Sequence, residues 1–289
     1  MRFDVVCVGS PFLDLIFHEL SHLPTPGEEV LAKRLTLTHG GIANVAYACK
    51  QLGLESAICA PRGVDALGQV LDRLIEESGV HWVGRTTPST PISVAIPADR
   101  DRGFITVNPN ISPDIETLAT IETGAVVANL PNVAKLPAGL RTYAILGDPE
   151  AVELSGKLTG PLDHIEALFL NEREATLVTC IEDADEAVRV LADLGTTVVM
   201  TRGPRGAVAV TPSGEFVSVS APALEVPDPT GAGDAFTAAY IWADLRGEPL
   251  HRRMEVAVLY ASRSIGESSV RQKGLPLEDF LVILSEQSS

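Results

Sequence analysis

Apolar positions follow two rhythms that take turns along the chain. Short unbroken runs at 3–9 (FDVVCVG), 56–60, 125–128, 142–146, 167–170 and 197–201 suit strands buried on both faces, as in a parallel sheet. Between them apolar residues return at helical spacing. Val45, Ala46, Cys49 and Leu52 make one stripe, and Leu67, Val70, Leu71, Leu74 and Ile75 a second. Ala184, Ala187, Val188, Leu191 and Leu194 make a third. Further helices are predicted over 235–246 and 249–265, with shorter ones over 114–121 and 278–284. Strict alternation at Thr90, Ile92, Val94 and Ile96, then the charged turn Asp99-Arg100-Asp101-Arg102-Gly103 and FITV, reads as a hairpin with a solvated tip. A second hairpin, 207–211 with 215–219, turns at Pro212-Ser213-Gly214. Strands and helices in alternation predict an α/β protein.

Composition narrows the function classes. A chain of 289 residues can bury a large core, and 24 Gly with 20 Pro imply many short connections. The net charge of −16 argues against nucleic acid or an anionic membrane as partner. An anionic ligand must therefore be held by local features. Cys7, Cys49, Cys59 and Cys180 are scattered with no C-x-x-C pair, which suits reduced thiols. The chain opens Met-Arg-Phe-Asp directly into its first strand, and nothing approaches roughly 18 uninterrupted apolar residues, so a cytoplasmic protein is expected.

The richest stretch is Asp228-Pro229-Thr230-Gly231-Ala232-Gly233-Asp234-Ala235-Phe236. Pro229 disfavours helix at Asp228. Gly231 and Gly233 permit a tight turn with a bare backbone. A helix that opens on such a turn presents unpaired N–H groups, which cap onto Asp234 or bind an anion. One carboxylate beside an N–H cradle is also what phosphoryl transfer to an alcohol needs. By spacing alone, cap and anion site both stand. Gly40 and Gly41 likewise let backbone approach a ligand, and Asn44 offers a donor and an acceptor to a hydroxyl. Asn171 and Glu174, one turn apart at a strand end, either cap a helix or converge on one point. No G-x-x-x-x-G-K-[ST], no G-x-G-x-x-G and no zinc-type His/Cys spacing occurs.

The 228–236 stretch closely resembles the C-terminal signature, D-x-T-G-A-G-D, of the ribokinase-like (PfkB) carbohydrate kinases. Residues 40–53 resemble their first signature, with two residues instead of three between the Gly pair and Asn44. The resemblance implies a three-layer α/β/α sandwich with a mostly parallel central sheet and a small β-sheet lid. It implies one kinase domain over 1–289, with the lid formed by about 13–38 and 85–107. Asp234 falls on the catalytic base, and Gly231, Ala232 and Gly233 on the anion hole. Asp14, Gly40, Gly41 and Asn44 fall on acceptor-binding positions. Asn171, Thr201, Arg202, Gly203 and Gly206 fall near the nucleotide, and Glu174 on the Mg²⁺ position, largely through water. Asp228 and Thr230 match a monovalent-cation (K⁺) site. The family's Asp-Pro-Asn-x-Arg run is replaced by Gly147-Asp148-Pro149-Glu150 with no matching Arg. The implied function is transfer of the γ-phosphate of ATP to a hydroxyl of a small sugar. Alternatives are a nucleoside or sugar-phosphate kinase, or a silent sugar- or nucleotide-binding sensor. Homodimerisation through the lid is the expected assembly.

Overall fold

The computed structural model describes residues 1–98, 101–109, 113–224, 229–266 and 274–287. Its first half runs β1 (Arg2–Val8), β2 (Pro11–His18), β3 (Arg34–Gly41), α1 (Ile42–Gln51), β4 (Ser56–Cys59), β5 (Arg62–Gly63) and α2 (Ala66–Glu77). Then come β6 (His81–Val83), β7 (Thr86–Thr87), β8 (Ile92–Ala98), β9 (Asp101–Val107), α3 (Ile115–Leu118), β10 (Glu122–Asn129) and α4 (Leu130–Val133). The second half runs β11 (Thr142–Ile145), α5 (Asp148–Glu153), β12 (Ala167–Asn171), α6 (Glu172–Thr179), α7 (Ala184–Ala192) and β13 (Thr197–Thr201). A 3₁₀ turn (Gly203–Arg205), β14 (Ala207–Val210), β15 (Phe216–Val219), α8 (Ala232–Asp244), α9 (Leu250–Gly266) and α10 (Leu277–Gln287) close the chain.

Nine strands form one sheet in the order β15-β14-β13-β12-β11-β10-β1-β4-β6. All pairings from β13 to β6 are parallel, and only β13-β14-β15 is antiparallel. The unbroken apolar runs are explained by cover on both faces. Val5 and Cys7 point into a core closed by α1, α2, α8, α9 and α10, while Val6 and Val8 point into a second core closed by α3 to α7. These are the three layers that the resemblance implied.

Local chemistry sets the helix ends. Gly53, at φ +77°, turns the chain so that its own N–H and that of Leu54 reach the carbonyls of Lys50 and Cys49 at 3.0 and 3.1 Å. Asp65 caps α2 by accepting from Gly68 N at 2.7 Å, and Asp183 caps α7 through Asp185 N and Glu186 N.

A separate four-stranded sheet, ordered β3-β2-β8-β9, stands outside the main layer. β2 pairs antiparallel with β3 and parallel with β8. The alternation at 92–96 is β8, and the hairpin partner is β9, though Asp99 and Arg100 of its tip lie outside the described residues. Leu35, Phe104, Ile105 and Val107 are exposed on this sheet. Among the described residues no helix is long and apolar enough to cross a membrane.

Candidate active site

The glycine turn before α8 is where the chain brings its chemistry together. Gly231 is the N-cap, held at φ +82°, and no side chain caps the helix. The Ala232 N–H donates to the Pro229 carbonyl at 3.1 Å. A side chain on Gly233 would meet no protein atom, so packing does not call for a glycine there. The bare backbone at the helix start faces open space, which is the arrangement that suits an incoming anion.

Two cavities meet at this turn. The first, about 530 Å³, is lined by Phe12, Gly41, Asn171, Glu174, Gly231 and Asp234, and also by Gly147, Glu150 and Lys135. The second, about 550 Å³, has mostly apolar walls, among them Pro204, Leu224, Val258 and Ile265. Thr201, Gly233 and Phe236 line both. A group at the α8 N-terminus therefore looks into a polar chamber on one side and an apolar one on the other.

Three carboxylates, Asp234 and Glu174 in the lining of the first chamber and Asp14 outside it, hold their protons more tightly than usual. Burial pushes Asp234 up to about 6, against the opposing pull of a hydrogen bond from Asn44 Nδ2 at 3.1 Å. Burial, and then the charge of Asp234, push Asp14 up to about 7. Glu174 is also raised to about 7, chiefly by burial. The Asn171 N–H opposes that shift, while Asp148, Glu150 and Asp234 add to it. Glu150 and Glu153 line the same chamber, and Lys135 is the single basic side chain among its described lining residues. Such an excess of acid fits a hard cation brought in with a polyanion.

The residues singled out in the sequence fall as follows. Asp14 and Gly40 are in contact across β2 and β3: a Cβ on Gly40 would run into the Asp14 carboxylate. Gly41 has φ +60°, and a Cβ there would meet the Phe12 ring and the Ser10 carbonyl. Asp14, Gly40 and Asn44 are not in the chamber lining itself; Asn44 joins it through its hydrogen bond to Asp234, and Gly40 through its neighbour Gly41. Thr201, Gly203, Gly206, Ala232 and Gly233 line the apolar cavity, beside Ala261 and Ser262 of α9. Asn171 and Glu174 satisfy both of their readings. They form a capping box, with Asn171 Oδ1 accepting from Glu174 N at 2.9 Å and Glu174 Oε2 from Asn171 N at 2.7 Å, and both line the chamber. Arg202 lines neither cavity; its guanidinium is taken by Asp185 and Glu172. Thr230 sits in the turn preceding Gly231, and Asp228 lies outside the described residues.

No group of three or more His, Cys, Asp and Glu side chains able to cage a metal occurs among the described residues. Mg²⁺ does not require one, since it keeps several waters and takes one or two carboxylates plus phosphate oxygens. Glu174 fits that mode, because one of its oxygens is committed to the Asn171 N–H and the side chain still reaches the chamber.

Sequence reasoning passed over Asn132, Lys135, Glu153 and Thr237, all of them chamber residues. Lys135 donates to Asn132 Oδ1 at 3.2 Å. The only signal for this pair was position, just past the C-terminal end of β10, where open α/β sheets bind ligands. Asn129, at the C-terminal end of β10, and Gly147, just past β11, also line the chamber.

Known proteins share this architecture. The pfkB family of carbohydrate kinases matches residues 2–130 and 149–277. A cytidine kinase of Thermococcus kodakarensis is 40% identical over 91 residues, 31% of this chain and 33% of its own. A nucleoside kinase of Methanothermobacter thermautotrophicus is 26% identical over 266 residues, 86% of this chain and 84% of its own. Among solved structures, Arabidopsis thaliana ribokinase complexed with ribose and ATP superimposes with a TM-score of 0.78 at 25% identity, covering 98% of this chain and 99% of that one.

Proposed function

This chain belongs to the pfkB family of carbohydrate kinases, and we propose that it moves the γ-phosphoryl group of ATP onto a hydroxyl of a small sugar, with Asp234 as the base. The observation that carries the reading is the position of Asp234. It sits on the first turn of a helix that no side chain caps, where a polar and an apolar chamber meet.

The division of labour follows from the walls. The apolar chamber between the Gly203–Gly206 turn and α9 takes the adenine end of the nucleotide. Gly231, Ala232 and Gly233 bring backbone and the positive end of the α8 dipole to the transferring phosphoryl group, where charge develops. Asp234 orients the acceptor hydroxyl and receives its proton. Asp14 and Asn44 hold the neighbouring hydroxyls, Asp14 as acceptor and Asn44 as both donor and acceptor. Mg²⁺, when bound near Glu174 and Asn171, neutralises phosphate oxygens. The small sheet carries Asp14 and Gly40 on β2 and β3, so its approach to the main body completes the acceptor site and excludes water. Its exposed Leu35, Phe104, Ile105 and Val107 support pairing of two such sheets in a homodimer.

A nucleoside acceptor is the second reading. It is favoured by the cytidine and nucleoside kinases among the matching relatives, and it uses the same ribose hydroxyls. The test is incubation with Mg-ATP and a panel of pentoses, hexoses, their phosphates and nucleosides, with product read by mass and Asp234→Asn run in parallel. One acceptor should yield a phosphorylated product, reduced about 10²- to 10⁴-fold in the variant. Binding of a sugar or ATP with no product from any acceptor would make the protein a sensor instead.

A further inference from the structure

His39, next to the glycine pair on β3, belongs to none of the motifs above, yet it is 3% exposed and linked to the base. Its Nδ1 lies 3.3 Å from Asn44 Oδ1, and Asn44 Nδ2 lies 3.1 Å from Asp234 Oδ2. Its ring leans on Tyr47 with centroids 5.5 Å apart. Its other nitrogen, Nε2, is buried with no hydrogen-bond partner among the described residues.

These facts fix where the hydrogens are. An amide oxygen turned toward the Asp234 carboxylate would set two acceptors against each other, so the Asn44 NH₂ faces Asp234 and its oxygen faces His39. An oxygen there only accepts, so His39 must carry its hydrogen on Nδ1. The alternative tautomer would bury an N–H at Nε2 with no acceptor, which is costly, and the cation would do the same with a charge added. Burial accordingly pulls the imidazole down to about 4, so it stays neutral at physiological pH.

We propose that His39 is a positioning residue for the phosphoryl transfer: its Nδ1–H, locked because the buried Nε2 has no acceptor among the described residues, holds the Asn44 amide in the one orientation that donates to Asp234. The absence of an acceptor for Nε2 among the described residues is part of the device, because an acceptor there would compete for the hydrogen and let the amide flip. This rests on Asp234 being the base. The tautomer itself does not, and it can be read without turnover.

Two measurements decide it. Long-range ¹H–¹⁵N correlation spectra of the wild-type protein at pH 7, with the His39 signals identified by their loss in His39→Asn, report which nitrogen is protonated. The expected pattern is a neutral ring with hydrogen on Nδ1, and a ring protonated on Nε2, or on both nitrogens, overturns the proposal. The second measurement is kinetic, with the acceptor found above. His39→Leu keeps bulk and removes the donor, so kcat should fall about 10- to 100-fold with the KM for ATP unchanged. His39→Asn puts an amide N–H where Nδ1–H was and should restore kcat to within a few-fold. Equal losses in both variants, or no loss in His39→Leu, would leave His39 a packing residue. If Asp234→Asn keeps full activity, the assignment of the base fails, while the spectra still decide the tautomer.

Discussion

Neutralising Asp234 should stabilise the protein while abolishing transfer. The carboxylate sits at about 6 against an ordinary 3.8, because burial opposes its charge. Every tenfold gain in proton affinity corresponds to about 1.4 kcal/mol, so a fully dry group would carry about 3 kcal/mol of penalty once ionised. Asp234 retains part of its surface in the chamber, and solvent screening brings that to about 1–2 kcal/mol. The sign follows from proton counting. Between pH 3.8 and about 6 the folded state binds the proton more tightly than the unfolded chain, so this group's contribution to stability is full below 3.8 and is lost as pH rises through about 6. Asp234→Asn keeps an oxygen for the Asn44 donor and has no charge to bury. Its loss also relieves Asp14 and Glu174, both of which feel the Asp234 charge. For a chain of this size the variant should melt about 2–3 °C above the wild type at pH 8 and level with it below pH 4. Thermal unfolding of both proteins without nucleotide, followed by circular dichroism across that range, measures the difference, in which the other titrations largely cancel. Equal melting at pH 8, or a less stable variant, would refute the claim that the base is held at a cost to the fold.

Three more outcomes follow from the same geometry. The kcat/KM for the acceptor should fall as the pH drops, about tenfold per unit once Asp14, near 7, takes a proton and more steeply once Asp234, near 6, follows; a flat profile from pH 5 to 8 would rule out Asp234 as the ionised base. Gly40→Ala places a methyl against the Asp14 carboxylate, so the KM for the acceptor should rise at least about tenfold with the KM for ATP unchanged, as steady-state kinetics would show. At the far end of α8, Asp244 is 2% exposed by side chain and neutralises Arg141 and Arg253 at 2.8 and 2.7 Å, with the Tyr143 hydroxyl donating to it as well. Asp244→Ala should cost about 3–5 kcal/mol in urea unfolding, because it strands two partly buried guanidinium groups.

What the sequence made legible was what local pattern dictates. β1, β12 and β13 were visible because strands covered on both faces must be apolar throughout, and α7 because one face must be. The turn into α8 was visible because two glycines follow Pro229 directly before a run of small and apolar residues at helical spacing. α4 and α5 escaped notice, since four and six residues show no helical period and hold their shape by docking under the sheet. Arg202 looked like a nucleotide contact by position, but the fold brings Glu172 and Asp185 beside it, and pairing across that separation leaves no trace in a linear reading. His39 carried no signal for a related reason. The role proposed for it rests on a buried Nε2 with no partner among the described residues, and that is a property of the folded environment alone.

The order of strands in the main sheet also bears on how the protein is made. β1 is synthesised first and lies inside the sheet. β4 and β6 extend it to one side, and β10 through β15 extend it to the other in the order in which they leave the ribosome. Each new strand thus meets an edge already in place, and no gap waits in the sheet for a late arrival. The carboxylate of Asp234 comes afterwards. Asn44 and Asp234 are separated by 190 positions, on the order of 10–40 s of translation. A nascent chain therefore owns most of its scaffold well before it owns the carboxylate proposed as its base, so the proposed chemistry can begin only on a sheet that is already complete.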